Sequence, residues 1–153
     1  MLHTIKTARH QAKFSRNACA WLLIDDVGIE QWLAEHLADE QLSFLGLSLN
    51  WLIDDAEEAL AKRRFTPGED GSSTIVPLLV CSDDMDLGCT VLVAEQVVEG
   101  GTLSWVRFGW SISEGLEVGA QTRWISSSQP VVFALENFQR AVEDFAAMLA
   151  GYP

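Results

Sequence analysis

At 153 residues, with 48% hydrophobic and 21% charged side chains, the chain is long enough for one domain with a real core and is not of disordered composition. Charge is uneven: residues 1–16 hold Lys6, Arg9, Lys13 and Arg16 and no acid, so the remainder sets 6 basic against 22 acidic side chains, a net −16 within a total of −12. A body of that sign repels phosphate, which argues against nucleic acid as a partner, and the longest apolar runs, Ala18–Ile24 and Val76–Cys81, fall far short of the ~20 residues of a membrane helix.

The basic start followed by Ala18–Ile24 imitates a secretory signal. The apolar part is short, however, and Asp25-Asp26 closes it without a small-residue cleavage site. Residues 1–17 are therefore expected to be a loosely ordered basic lead-in to a single domain spanning 18–153. Three cysteines, an odd number, agree with a reducing, cytoplasmic setting.

Ala20–Ile24 reads as a strand running into the turn Asp25-Asp26-Val27-Gly28. Ile29, Trp32, Leu33, His36 and Leu37 recur at helical spacing and predict a short helix over 29–38. Residues 39–48 show no clean period. Strong helix formers over 54–63, acids first and bases last as the helix dipole prefers, favour helix there over strand. Pro67–Ser73 is a loop by composition. The period then changes: residues 74–81, 89–98 and 102–110 are rich in Val, Ile and Leu, with Glu99-Gly100-Gly101 as a hairpin turn, and predict a three-strand antiparallel meander. Pro77 cannot donate to a ladder, so its strand is an edge or is bulged there. Short strands at 122–125 and 131–134 follow, separated by a break at 126–130. A final helix has Leu135, Phe138, Val142, Phe145, Met148 and Leu149 on one face and stops at Gly151 and Pro153. The expected class is α+β: an antiparallel sheet of four to six strands, short N-terminal helices, and the C-terminal helix packed on one face.

The segment Cys81-Ser82-Asp83-Asp84-Met85-Asp86-Leu87-Gly88-Cys89 gathers the most chemistry. Its simplest reading is an acidic hairpin loop whose aspartates cap nearby backbone N–H groups. The same carboxylates could present charge to a basic protein. A calcium loop of the EF-hand type is rejected, because Gly88 and Cys89 stand where an oxygen ligand and a glycine are needed. Zinc lacks a second Cys/His pair at a recognised spacing, and a Cys81–Cys89 disulfide, although conceivable in a hairpin, does not suit a cytoplasmic protein. No metal and no cofactor are expected. Catalytic motifs are thin: Gly109-Trp110-Ser111-Ile112-Ser113 is one glycine short of a nucleophile elbow, His3 and His10 fall in the lead-in, and His36 lies on a helix. Six tryptophans mostly neighbour apolar positions, so burial is their default, with Trp110 and Trp124 placed to line a groove.

The run Ile75–Val91, with Trp105-Val106-Arg107-Phe108-Gly109 and the strand–helix ending Val131–Leu149, resembles small acidic bacterial proteins of unassigned role. In size, acidity and α+β order the chain is similar to immunity proteins that neutralise secreted bacterial toxins, including those of contact-dependent inhibition systems. The resemblance covers about the last half of the chain. It implies a cytoplasmic, non-catalytic inhibitor of one toxin domain. The expected contact residues are Asp83, Asp84 and Asp86, with Trp110 as an anchor. The rival expectations are a small enzyme or metal protein using the Cys81–Cys89 loop, and a homodimer paired through the edge strand containing Pro77.

Overall fold

Val, Ile and Leu at successive positions suit strands covered on both faces, and three such runs build the centre of the molecule. In the computed structural model, which describes residues 1–126 and 128–151, they are β5 (Ser73–Val80), β6 (Val91–Glu99) and β7 (Thr102–Ser111), paired antiparallel as a meander. Gly100 and Gly101 both adopt left-handed φ, 60° and 81°, which the tight turn between Glu99 and Thr102 demands and a side chain would resist. β4 (Gly46–Leu47) adds to the free side of β5 only at Leu79 and Val80. On the far side, the long β7 carries two short partners end to end: β8 (Thr122–Trp124) against Gly109–Ser111, and β9 (Val131–Ala134) against Thr102–Trp105. The class is α+β with antiparallel sheets and a C-terminal helix, as expected.

The β5 ladder slips between Pro77 and Leu79, the bulge that proline predicts. Its exposed side is also occupied: the Ser48 hydroxyl donates to the Pro77 carbonyl at 2.5 Å, and Arg64 Nη1 donates to the Ile75 carbonyl at 3.1 Å. Two outward carbonyls of the strand are therefore already hydrogen-bonded within the chain.

A second sheet comes from residues expected to be loose. β1 (Ile5–His10) pairs antiparallel with β2 (Cys19–Ile24), and β2 turns through Asp25-Asp26 into β3 (Val27–Gly28). The lead-in expectation for residues 1–17 is thus corrected over Ile5–His10. Only Ile5 of β1 is buried, so the strand has no apolar alternation to announce it. It is held instead by the ladder to β2 and by the C-terminal helix. The two sheets meet where the His3 N–H, just ahead of β1, donates to the Val132 carbonyl of β9.

The helices are α1 (Ile29–His36), α2 (Ser48–Trp51), α3 (Asp55–Phe65) and α4 (Leu135–Leu149), the first, third and fourth close to the predicted spans. Asp54 caps α3 by accepting the Glu57 N–H at 3.0 Å. α4 buries Phe138, Ala141 and Phe145; Phe138 lies against Phe65, Trp105 and Phe133, with ring centroids 5.6–6.5 Å apart. Such aromatic pairs contribute about 0.5–1.5 kcal/mol beyond the area they bury. The same helix closes the edge of β1: Asn137 accepts the Ile5 N–H at 2.9 Å and donates to the Ile5 carbonyl at 3.0 Å, as a neighbouring strand would. Gly151 follows α4 with φ 84°; the expected break at 126–130 falls between β8 and β9, with Ser127 of it, like the stop at Pro153, outside the described residues. Among the described residues no helix is long and apolar enough to cross a membrane.

Candidate functional site: the acidic connection between β5 and β6

The β5–β6 ladder runs one step past the strands, with the Cys81 N–H donating to the Thr90 carbonyl at 3.1 Å. The chain then coils back: the Met85 N–H donates to the Cys81 carbonyl at 3.0 Å, and Met85 takes a left-handed φ of 56°. Asp86 accepts the Gly88 N–H at 2.9 Å, the local turn its short carboxylate favours. Leu87, 1% exposed, drives the tip of the connection into the core.

Four hydrogen bonds from other segments fix this connection. Trp51 Nε1 donates to the Ser82 carbonyl at 3.1 Å, and the Ile53 N–H to the Met85 carbonyl at 3.1 Å. The Leu87 N–H donates to Glu57 on α3 at 3.1 Å, and the Leu87 carbonyl accepts the Gly115 N–H at 3.2 Å. Trp51 is itself packed edge-on against Phe14 and Trp21, so the tether reaches the aromatic core of the small sheet. A segment with a buried anchor and external backbone bonds opens less readily than a free loop.

Of the residues singled out in the sequence, Asp83 and Asp84 are exposed and Asp86 is half-buried, engaged in the turn. Carboxylates from elsewhere join them: Asp54, Asp55 and Glu57 at the start of α3, and Glu114 and Glu117 around Gly115. The same bonds tie in Ile53 and, through its neighbour Gly115, Leu116, whose apolar side chains are exposed, at 69% and 54%. Trp110 is half-buried on β7 and lines a shallow depression of about 330 Å³ with Cys89, Thr90, Val91, Ser111 and Arg123. It meets the connection at its cysteine end and not at its aspartates.

Asp84 folds toward the two cysteines. The Cys81 and Cys89 sulfurs and an Asp84 carboxylate oxygen lie within 4.8 Å of one another. The Asp84 carboxylate beside Cys89 pushes that thiol above its ordinary range; the Thr90 hydroxyl opposes the shift and Cys81 adds to it. A search for Cys/His pairs at zinc-finger spacing passes over this third donor, because a carboxylate three residues from one cysteine joins the pair only once the turn is formed.

A second polar cluster was not legible in the sequence. Glu30, in the first turn of α1, is 0% exposed; one carboxylate oxygen accepts from Trp21 Nε1 at 2.8 Å and the other meets His10 Nε2 at 2.8 Å. Gly28 makes room for it, since a Cβ there would lie 2.5 Å from His10 Nε2 and 2.7 Å from the Glu30 carboxylate. The cluster joins β1, β2 and α1 from within the core. It satisfies buried polar groups and offers a substrate no access to Glu30.

Comparisons of the chain with protein-family models, with curated proteins and with solved structures returned no match.

Proposed function

We propose that this is a non-catalytic binding protein whose acidic β5–β6 connection captures a basic protein domain in the cytoplasm, in the manner of an immunity protein shielding a cell from a toxin. One observation carries the reading: the connection bearing the exposed carboxylates Asp83 and Asp84 is fixed by backbone bonds to Ile53 and to Gly115, which bring exposed apolar Ile53 and, next to Gly115, Leu116 close to it in the fold. Protein interfaces need apolar anchors for affinity and complementary charge for encounter and register. A surface ordered before binding also avoids the entropic cost of ordering it. The net charge of −12 on the folded chain supplies a long-range field of the right sign for a basic partner.

The test is association with the products of the neighbouring genes, among which a basic protein is the expected partner, followed at low and high salt. The triple change Asp83→Lys, Asp84→Lys and Asp86→Lys is expected to slow association by about tenfold or more and to flatten its salt dependence. Ile53→Ala and Leu116→Ala should instead speed dissociation. Affinity and salt dependence that survive the charge reversal would remove this connection from the interface.

A further inference from the structure

We propose that Cys81, Asp84 and Cys89 form a three-donor site for a thiophilic divalent cation, with zinc the expected occupant. The inference does not depend on the partner reading above.

The donors converge for reasons built into the backbone. Continuing the ladder through the Cys81 N–H and Thr90 carbonyl sets Cys81 opposite Thr90, one residue from Cys89. The Met85-to-Cys81 backbone bond returns Asp84 to the same end of the hairpin, and the Asp86–Gly88 turn fixes the approach to Cys89. The outcome is two sulfurs and one carboxylate oxygen within 4.8 Å of one another. In a tetrahedral zinc site with Zn–S near 2.3 Å and Zn–O near 2.1 Å, neighbouring ligand atoms stand about 3.5–3.8 Å apart. Side-chain rotation at the half-buried Cys81 and the exposed Asp84 and Cys89 suffices to close that difference.

The donor set selects the ion. Two thiolates favour zinc or copper(I) over calcium or magnesium, which want six or more oxygens. Three protein ligands leave one position for water. Binding exchanges two thiol protons for one divalent ion, so with Asp84 ionised the site carries the same net charge empty or filled. The acidic surface is therefore kept when the metal is present.

The experiment titrates the full chain with zinc and with cobalt(II), under a phosphine reductant that keeps both thiols free and rules out a disulfide as the source of any change. One equivalent of cobalt should bind with thiolate-to-metal charge-transfer bands and the intensified visible bands of a four-coordinate ion, and zinc should displace it. Zinc should also raise the melting temperature in proportion to its occupancy. Cys81→Ser and Cys89→Ser should each abolish the charge-transfer signal's two-thiolate intensity. Asp84→Asn should weaken affinity by at least the roughly 10–100-fold that loss of an outer-shell partner costs. Asp144→Asn, an exposed carboxylate on α4, should leave affinity unchanged, and circular dichroism should show every variant folded. Failure of the reduced chain to bind an equivalent of either metal overturns the proposal. So does uptake that persists in the double variant Cys81→Ser, Cys89→Ser, which would place the metal elsewhere.

Discussion

Gln96 shows how one buried polar side chain joins three elements. It is 2% exposed and sits where the β6–β7 register slips. Its amide nitrogen reaches the Arg64 and Phe65 carbonyls, 3.4 and 3.3 Å away at the end of α3, where a helix leaves carbonyls without internal partners. Its oxygen accepts from Trp105 Nε1 at 3.0 Å, in the centre of the aromatic cluster. An apolar residue of similar length keeps the packing but strands the indole N–H and both carbonyls. Gln96→Met is therefore expected to cost about 1–3 kcal/mol, the usual penalty for buried groups deprived of a partner. Urea unfolding would show this as a lower midpoint at unchanged slope, and an unchanged midpoint would mean that water satisfies the stranded groups instead.

The β2–β3 turn places both Asp25 and Asp26 at left-handed φ, 50° and 69°, as a tight hairpin requires. Partial burial pushes the Asp25 carboxyl up. The Thr4 N–H at 2.9 Å, the His3 ring at 2.6 Å and the Thr4 hydroxyl together outweigh that and hold it below its ordinary range. Because the folded value is the depressed one, the stabilisation is fully present above the unfolded carboxylate pKa of about 3.9 and is lost as pH falls through the lower folded value. Asp25→Asn, which tolerates the same φ, should lower stability near neutral pH by under about 1 kcal/mol, the worth of a half-exposed pair, and the gap to the parent should close in acid. A gap constant from neutral to acidic pH would assign the loss to turn geometry. Legibility differs from element to element for physical reasons of the same kind. β5, β6 and β7 carry their own apolar runs and glycine turn, and the acidic connection is visible as composition. β4 is two residues long, and β1 has one buried side chain, Ile5, so neither holds a period to read. Glu30 follows Gly28-Ile29 on a helix of ordinary polarity, and its partners His10 and Trp21 arrive only through the β1–β2 pairing. Asp84 was visible as charge, but its place beside both cysteines depends on the turn at Met85.

For the chain as a whole, the basic segment at the start is not an arm held out from an acidic body; it is folded into that body. Lys6 pairs with Asp26 at 2.7 Å, His3 with Asp25 at 2.6 Å and His10 with Glu30 at 2.8 Å. Ile5 is 1% exposed, the Thr7 hydroxyl donates to the Ala141 carbonyl at 2.6 Å, and Asn137 of α4 completes its hydrogen bonds on Ile5. Removing residues 1–10 would expose the face that Ile5 covers, at about 1.5–3 kcal/mol for one such side chain. It would strip about 1 kcal/mol from each of the hydrogen bonds to α4. It would also take from Glu30 its hydrogen-bond partner His10, leaving Trp21, and a polar group deprived of a partner costs about 1–3 kcal/mol. Together these losses are comparable with the 5–15 kcal/mol by which domains are typically stable. The truncated chain is therefore expected to lose cooperative unfolding at room temperature, with α4 and the small sheet failing together because each closes the other's edge. Near-ultraviolet circular dichroism, dominated by the six tryptophans, and a urea transition would report it. A truncated chain that melts with the parent's midpoint and slope would show that β1 adds nothing to the stability of the remaining fold.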